Sequence, residues 1–278
     1  MPISFILAML LQVGPNPSPD SVANTIPRSP REEAIDPVRA PEPQAVAPAC
    51  PLGGETEPSE VARIAARNAE LLDGRDRIGA LHCLALAQGE QGLWDEAAAG
   101  FLIAREAAVG MPDWQARLGS QRAHALVEAR RITEARTAFE LAIEDALAAG
   151  DPVTAGQIAA DQAIVEVGAG DVPSASRTLE AARERTPQSA QVWLLSATLA
   201  RRQGALEQAQ GFVERAADID AFDPEIGLEA GVIAVLSGRY SAAKASFESV
   251  IALPNAGAHG ETAKGYLAQL EQLDQPTE

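Results

Sequence analysis

Aromatic residues are scarce in this chain, at 4% of 278 residues, so its core cannot be built around large rings. Apolar residues still make up 46%, and most of the core must therefore be alanine and aliphatic side chains packed at close range. Cysteine occurs only at Cys50 and Cys83, which excludes a disulfide-dense scaffold and a paired-cysteine metal site. Alternating runs of β-branched residues are missing, and the signal for strands goes with them. There is no phosphate-cradling glycine loop and no Gly-x-Ser-x-Gly nucleophile elbow. His82, His124 and His259 are far apart in sequence, and the many carboxylates form no distinctive pair. No catalytic residue, metal ligand or cofactor is therefore assigned. The formal charge of −17 argues against a nucleic-acid backbone or an anionic membrane surface as the main partner.

What the chain does have is a recurring triad of alanine, a larger apolar residue four positions on, and a small apolar residue three further on. It occurs at Ala97-Phe101-Ala104, Ala135-Phe139-Ala142, Ala175-Leu179-Ala182, Ala209-Val213-Ala216 and Ala243-Phe247-Val250. The steps between first alanines are 38, 40, 34 and 34 residues, the length of one helix-turn-helix unit in a stacked solenoid. Five residues before each triad stands Gly92, Arg130, Gly170, Gly204 or Gly238, and twelve before it Ala85, Ala123, Ala163, Ala197 or Gly231. Small side chains let two helices approach closely, while the larger one fills the space between a hairpin and its neighbour.

This register resembles the tetratricopeptide repeat family, over about Ala80 to Leu253. The penultimate unit carries the resemblance best, with Trp193, Ala197, Gly204, Ala209, Val213 and Ala216 in place, although Ala200 stands at a tyrosine-like position. The fold expected is all-α, a right-handed α-solenoid of five stacked antiparallel helix pairs. Capping helices are expected over Ser59-Leu72 and Glu261-Leu273, since stacked repeats need covered ends. The longer early spacings imply extended helices or loops near Gly110-Pro112 and Ala148-Pro152. Asp151, Asp171 and Asp223 stand where helix N-caps belong.

Three segments follow from this: an apolar leader over 1–23, a proline-rich tether over 24–58, and the repeat domain over 59–278. The leader run Ile3-Val13 has the length of a signal-peptide core and is too short to span a bilayer. Two readings stay open for it: a signal peptide cleaved near Ser21-Val22-Ala23, placing the protein in the periplasm or outside, and an apolar tail on a cytoplasmic protein. Membrane association would come only through an uncleaved leader. From Pro15 to Pro58 there are 11 prolines, the composition of a disordered, partly extended tether. Cys50 and Cys83 could bridge tether and solenoid in an oxidising compartment, or Cys83 could be a buried small hydrophobe.

Helical repeats bind with the inward face of each first helix. On this register that face includes His82, Leu86, Ser120, His124, Ala160, Ile164, Leu194, Thr198, Leu228 and Val232. The inward positions carry neither lysine nor asparagine, unlike family members that clamp a peptide's terminal carboxylate. The site expected is an apolar floor in the carboxy-terminal units, formed by Leu194, Thr198, Leu228, Val232 and Val235, with Arg201 and Arg202 selecting an acidic residue at its edge. The function implied is that of a non-catalytic adaptor holding a peptide or helix in a groove, with no nucleic acid expected. The alternative is a structural or oligomerising module acting through its terminal helix or repeat edge.

Overall fold

The computed structural model describes residues 50–52 and 54–273; the leader and the tether up to Ala49 lie outside the described residues. Twelve helices and no strand occur among the described residues. The first is α1 (Pro58–Leu71), and the last is α12 (Gly257–Leu273). Between them stand five hairpins: α2 (Gly74–Glu90) with α3 (Trp94–Ala107), α4 (Pro112–Glu128) with α5 (Ile132–Ala148), α6 (Pro152–Gly168) with α7 (Val172–Arg185), α8 (Ala190–Arg202) with α9 (Leu206–Ile219), and α10 (Pro224–Leu236) with α11 (Tyr240–Ala252). Each helix packs on its neighbours in the chain, and α6, α8, α10 and α12 also pack on one another in that order. The long early steps come from helix length: α4, α5 and α6 each have 17 residues, against 13 in α8 and α10.

The turn inside each hairpin sits where the sequence pattern places it. Gly92, Gly170, Gly204 and Gly238 have φ of 72 to 79°, and Arg130 takes the same left-handed conformation at 62°. In every one of the five turns, the N–H of this residue bonds to the carbonyl three back, and the next N–H reaches five back, as in Gly204 to Arg201 and Ala205 to Ala200. This closes the first helix in the same way each time. Asp151, Asp171 and Asp223 cap α6, α7 and α10 by accepting from the N–H groups of Thr154, Ser174 and Glu225.

All fifteen triad residues are buried, as are Ala85, Ala123, Ala163, Ala197 and Gly231. The reason for glycine in the last unit is visible in its neighbour: a Cβ on Gly231 would lie 2.2 Å from Phe247 Cε1. The Phe247 ring in turn meets that of Tyr266 on α12, with centroids 5.4 Å apart. Ala263, Tyr266 and Leu270 are buried, so the apolar side of α12 is used in covering the last hairpin. At the other end Cys50 and Leu52 pack with Val61, Ala65, Cys83 and Ala87. Ordered packing therefore begins before α1, inside the segment expected to be tether.

Replacing Gly231 with alanine should cost about 1–3 kcal/mol, because the added methyl must displace a fully buried ring that packs on Tyr266. Adding Phe247→Leu to that variant should recover part of the loss, and a double-mutant cycle by urea unfolding reads the coupling directly. Additive losses would show that the two residues do not compete for one space.

Candidate binding groove between the second and third hairpins

The expected floor in the carboxy-terminal units is closed. Leu194 is 1% exposed, Thr198 7%, Val232 3% and Val235 5%, so these four side chains are core and not contact surface. Leu228 is half-buried and Arg202 exposed. Arg201, expected at the groove edge, is 1% exposed. Its Nε donates to Glu229 Oε1 at 2.6 Å and its Nη2 to Oε2 at 3.2 Å, so it joins α8 to α10 and is not available to select a ligand. The physical reason is the direct packing of α6, α8, α10 and α12: these helices come together and bury the strip that helical periodicity alone would leave open.

An open groove lies instead between α4 and α6, where the first helices are longer and that direct packing stops. It has a volume of about 640 Å³. Trp114, Arg117 and Gln121 line it from α4 at i, i+3 and i+7, and Thr154, Ile158 and Asp161 line it from α6 at i, i+4 and i+7. Asp113 and Asp151 stand at its amino-terminal rim, and Ala146 and Ala149 close it from the end of α5. Of the inward positions expected from sequence, Ser120 is in this lining, and His124 stands beside it, its Nε2 3.1 Å from Asp161 Oδ2. Trp114, Arg117 and Gln121 were not singled out from sequence, although they continue the stripe of Ser120 and His124 toward the start of α4.

The groove has a defined electrostatic character. Asp113, Asp151 and Asp161 face a single arginine, Arg117. The Thr154 hydroxyl, followed by its backbone N–H, holds the Asp151 carboxyl below the usual range. Behind the groove, His82 packs edge-on to Trp114, with ring centroids 6.1 Å apart. Burial, followed by the nearby positive charge of Arg117, pushes the His82 imidazole below its ordinary pKa, with Gln121 acting weakly in the opposite sense. Among the described residues no cluster of three His, Cys, Asp or Glu could hold a metal ion, and no helix is long and apolar enough to cross a membrane. Cys50 and Cys83 form a disulfide with Cα atoms 5.4 Å apart.

Stacked hairpins with a groove along their first helices define a helical-repeat scaffold. Residues 160–224, from the middle of α6 into α10, match the family model of the tetratricopeptide repeat. Comparison with curated proteins found no match. Among solved structures, the chain is similar to BtubC from P. vanneervenii, with a TM-score of 0.53 at 19% identity over 81% of this chain and 96% of that one. It is also similar to a tetratricopeptide repeat protein from Parabacteroides merdae, with a TM-score of 0.52 at 14% identity over 77% and 78% of the two chains. A third likeness, to an assembly chaperone of RpL4, has a TM-score of 0.50 at 14% identity over 78% and 93%. The fold is thus the all-α repeat solenoid of tetratricopeptide proteins, and the repeat is recognised in this chain's own sequence over its third and fourth hairpins.

The depressed His82 predicts a signed pH dependence. A folded ring that resists protonation leaves stability whole above the unfolded pKa of about 6.5, and stability falls as pH drops below that value. The melting temperature of the protein should decline between about pH 7.5 and pH 5, and His82→Phe should flatten that decline. An equally steep decline in the variant would place the titrating group elsewhere.

Proposed function

We propose that this protein is a non-catalytic interaction adaptor that holds a basic, extended segment of a partner protein in the α4–α6 groove. Tetratricopeptide repeats serve in general as protein-interaction modules, which supports the class of function. The observation that carries the finer reading is the lining itself: three carboxylates against one arginine, beside a half-buried indole. A lysine or arginine side chain fits such a lining, with its charge near Asp113 or Asp161 and its stem or guanidinium over Trp114. The net charge of −17 acts in the same direction at long range, drawing a cationic segment in and repelling an acidic one. This replaces the acidic ligand that exposed Arg201 and Arg202 would have selected.

Fluorescence anisotropy with a labelled arginine- and lysine-containing peptide, and an acidic peptide of the same length, tests the reading. The basic peptide should bind more tightly, and Trp114→Ala should weaken it by about tenfold, the worth of one good cation–π contact. Asp161→Asn should weaken binding mainly at low salt. Equal binding of both peptides, or basic-peptide binding unaffected by Trp114→Ala, would overturn it.

The adaptor is further proposed to act in an oxidising compartment, the periplasm or outside the cell. The Cys50–Cys83 bond supports this, because such bonds persist where thiols are not kept reduced. The apolar run Ile3-Val13 is consistent with export. Closing this loop is worth about 3–4 kcal/mol in the chain-entropy account, so reductant should lower the melting temperature measurably. Native protein isolated from cell fractions with both thiols free, in a reducing compartment, would defeat the proposal.

A further inference from the structure

The acidic lining of the α4–α6 groove has a histidine at its edge. Asp161 lines the groove from α6, and its Oδ2 lies 3.1 Å from Nε2 of His124 on α4. A carboxylate only accepts, so Nε2 bears the hydrogen of the neutral ring, and Nδ1 is the nitrogen left to take a proton. The two side chains are 43% and 32% exposed. A proton therefore reaches the ring directly from water, with no change of conformation.

The groups around His124 direct its charge toward the groove. From α6 it is faced by Asp161, whereas Glu166 on the same helix turns to the second-helix layer, where it accepts from Thr178 and Gln162 and pairs with Arg136. From α5 the ring meets Phe139 at right angles, with centroids 5.1 Å apart; Arg136 and Glu140 of α5 line a separate cavity toward α7. From α3 the charge that reaches α4 is Arg105, whose Nε is 3.6 Å from the place of a Cβ on Gly119 and donates to Asp145 of α5 at 3.0 Å. On α4 itself, exposed Glu128 stands one turn beyond the ring and Arg117 two turns before it. From α2, His82 faces Trp114, and burial, followed by the charge of Arg117, makes it resist a proton.

We infer that His124 makes the groove acid-sensitive: the cationic segment is held while the ring is neutral and is released when Nδ1 takes a proton from water. This rests on the reading of the groove as a site for a basic segment. Asp113, Asp151 and Asp161 against Arg117 leave the lining with two negative charges in excess. Both Asp151 oxygens accept from Thr154, at its N–H and its hydroxyl, so Asp113 and Asp161 are the carboxylates placed to meet a ligand's cation. An imidazolium fixed at Asp161 offsets one of these two. Histidine is the side chain that makes this change of charge between about pH 5 and pH 8. The coupling is reciprocal: a cation seated near Asp161 opposes the proton on His124 by the same factor. Solvent screens a pair this exposed, which sets the factor at about five. His124 acts through Asp161 and is a positioning residue of the groove.

Anisotropy of the full chain with the labelled arginine- and lysine-containing peptide, capped at both ends and free of histidine and acidic residues, tests the inference. It is read at about pH 7.5 and about pH 5.5 at one ionic strength, with circular dichroism confirming the fold at both. Affinity should fall about fivefold at the lower pH. His124→Gln keeps a donor for Asp161 but cannot gain a charge; it should match the unaltered protein at the higher pH and lose the fall. Asp161→Asn should also be flat, from a weaker start, and His82→Phe should retain the fall. In proton NMR the titration of the His124 Cε1–H signal should move to lower pH when the peptide is bound. Equal affinity at both pH values, with Trp114→Ala still weakening the peptide at the higher one, would overturn this inference and leave the groove reading standing. A peptide that does not bind at the higher pH, or binds regardless of Trp114, would overturn both. A fall that survives His124→Gln, or that vanishes in His82→Phe, would place the titrating group elsewhere and overturn the role of His124.

Discussion

The structure depends on how closely two helices can approach. At one position in each first helix the side chain is no larger than a methyl, at Ala85, Ala123, Ala163, Ala197 and Gly231, and all five are buried. That absence of volume lets the second helix press in and lets its larger apolar residue reach the space between hairpins. The constraint is sharpest where the filler is a phenylalanine and the small residue is a glycine, since Phe247 occupies the place a Cβ would need. A chain poor in aromatics can build a continuous core in this way, because close approach multiplies weak dispersion contacts.

From that spacing follows where the molecule is shut and where it is open. In the carboxy-terminal half the first helices touch one another, and the Arg201–Glu229 pair is drawn in between α8 and α10. Such a pair contributes little net stability, but any slip between the units would strand two charges out of water. In the amino-terminal half the longer first helices leave the α4–α6 groove. The polar contacts near it, such as His124 with Asp161, are partly exposed. Open groove and closed first-helix packing thus occur in successive parts of one repeating scaffold.

The polar network under α5 and α7 adds a different arrangement. Glu166 and Gln162 are one helical turn apart on α6 and face the second-helix layer, whereas Asp161 and Ile158 on the same helix face the groove. One helix therefore serves two surfaces. Buried Glu166 and Gln162, with half-buried Thr178 and Arg136, put a polar network into a layer that is otherwise mostly apolar.

The sequence by itself determined the repeating unit: the five turns, the buried triads, the small-residue register and the N-caps at Asp151, Asp171 and Asp223 are all local, and periodicity of 3.6 residues carries them. It also marked Cys50 and Cys83 as the pair available to bridge. Only the tertiary structure decided which inward strip is accessible. Leu194, Thr198, Val232 and Val235 lie on the same side of their helices as Ser120, which lines the groove, and His124 beside it, yet they are buried, because exposure depends on how far each first helix stands from the next. That distance is set by helix length and by side chains many residues apart, and no local pattern encodes it. The same holds for Arg201: a helix-end arginine looks solvated in sequence, and only the arrival of Glu229 from the next hairpin makes it part of the core.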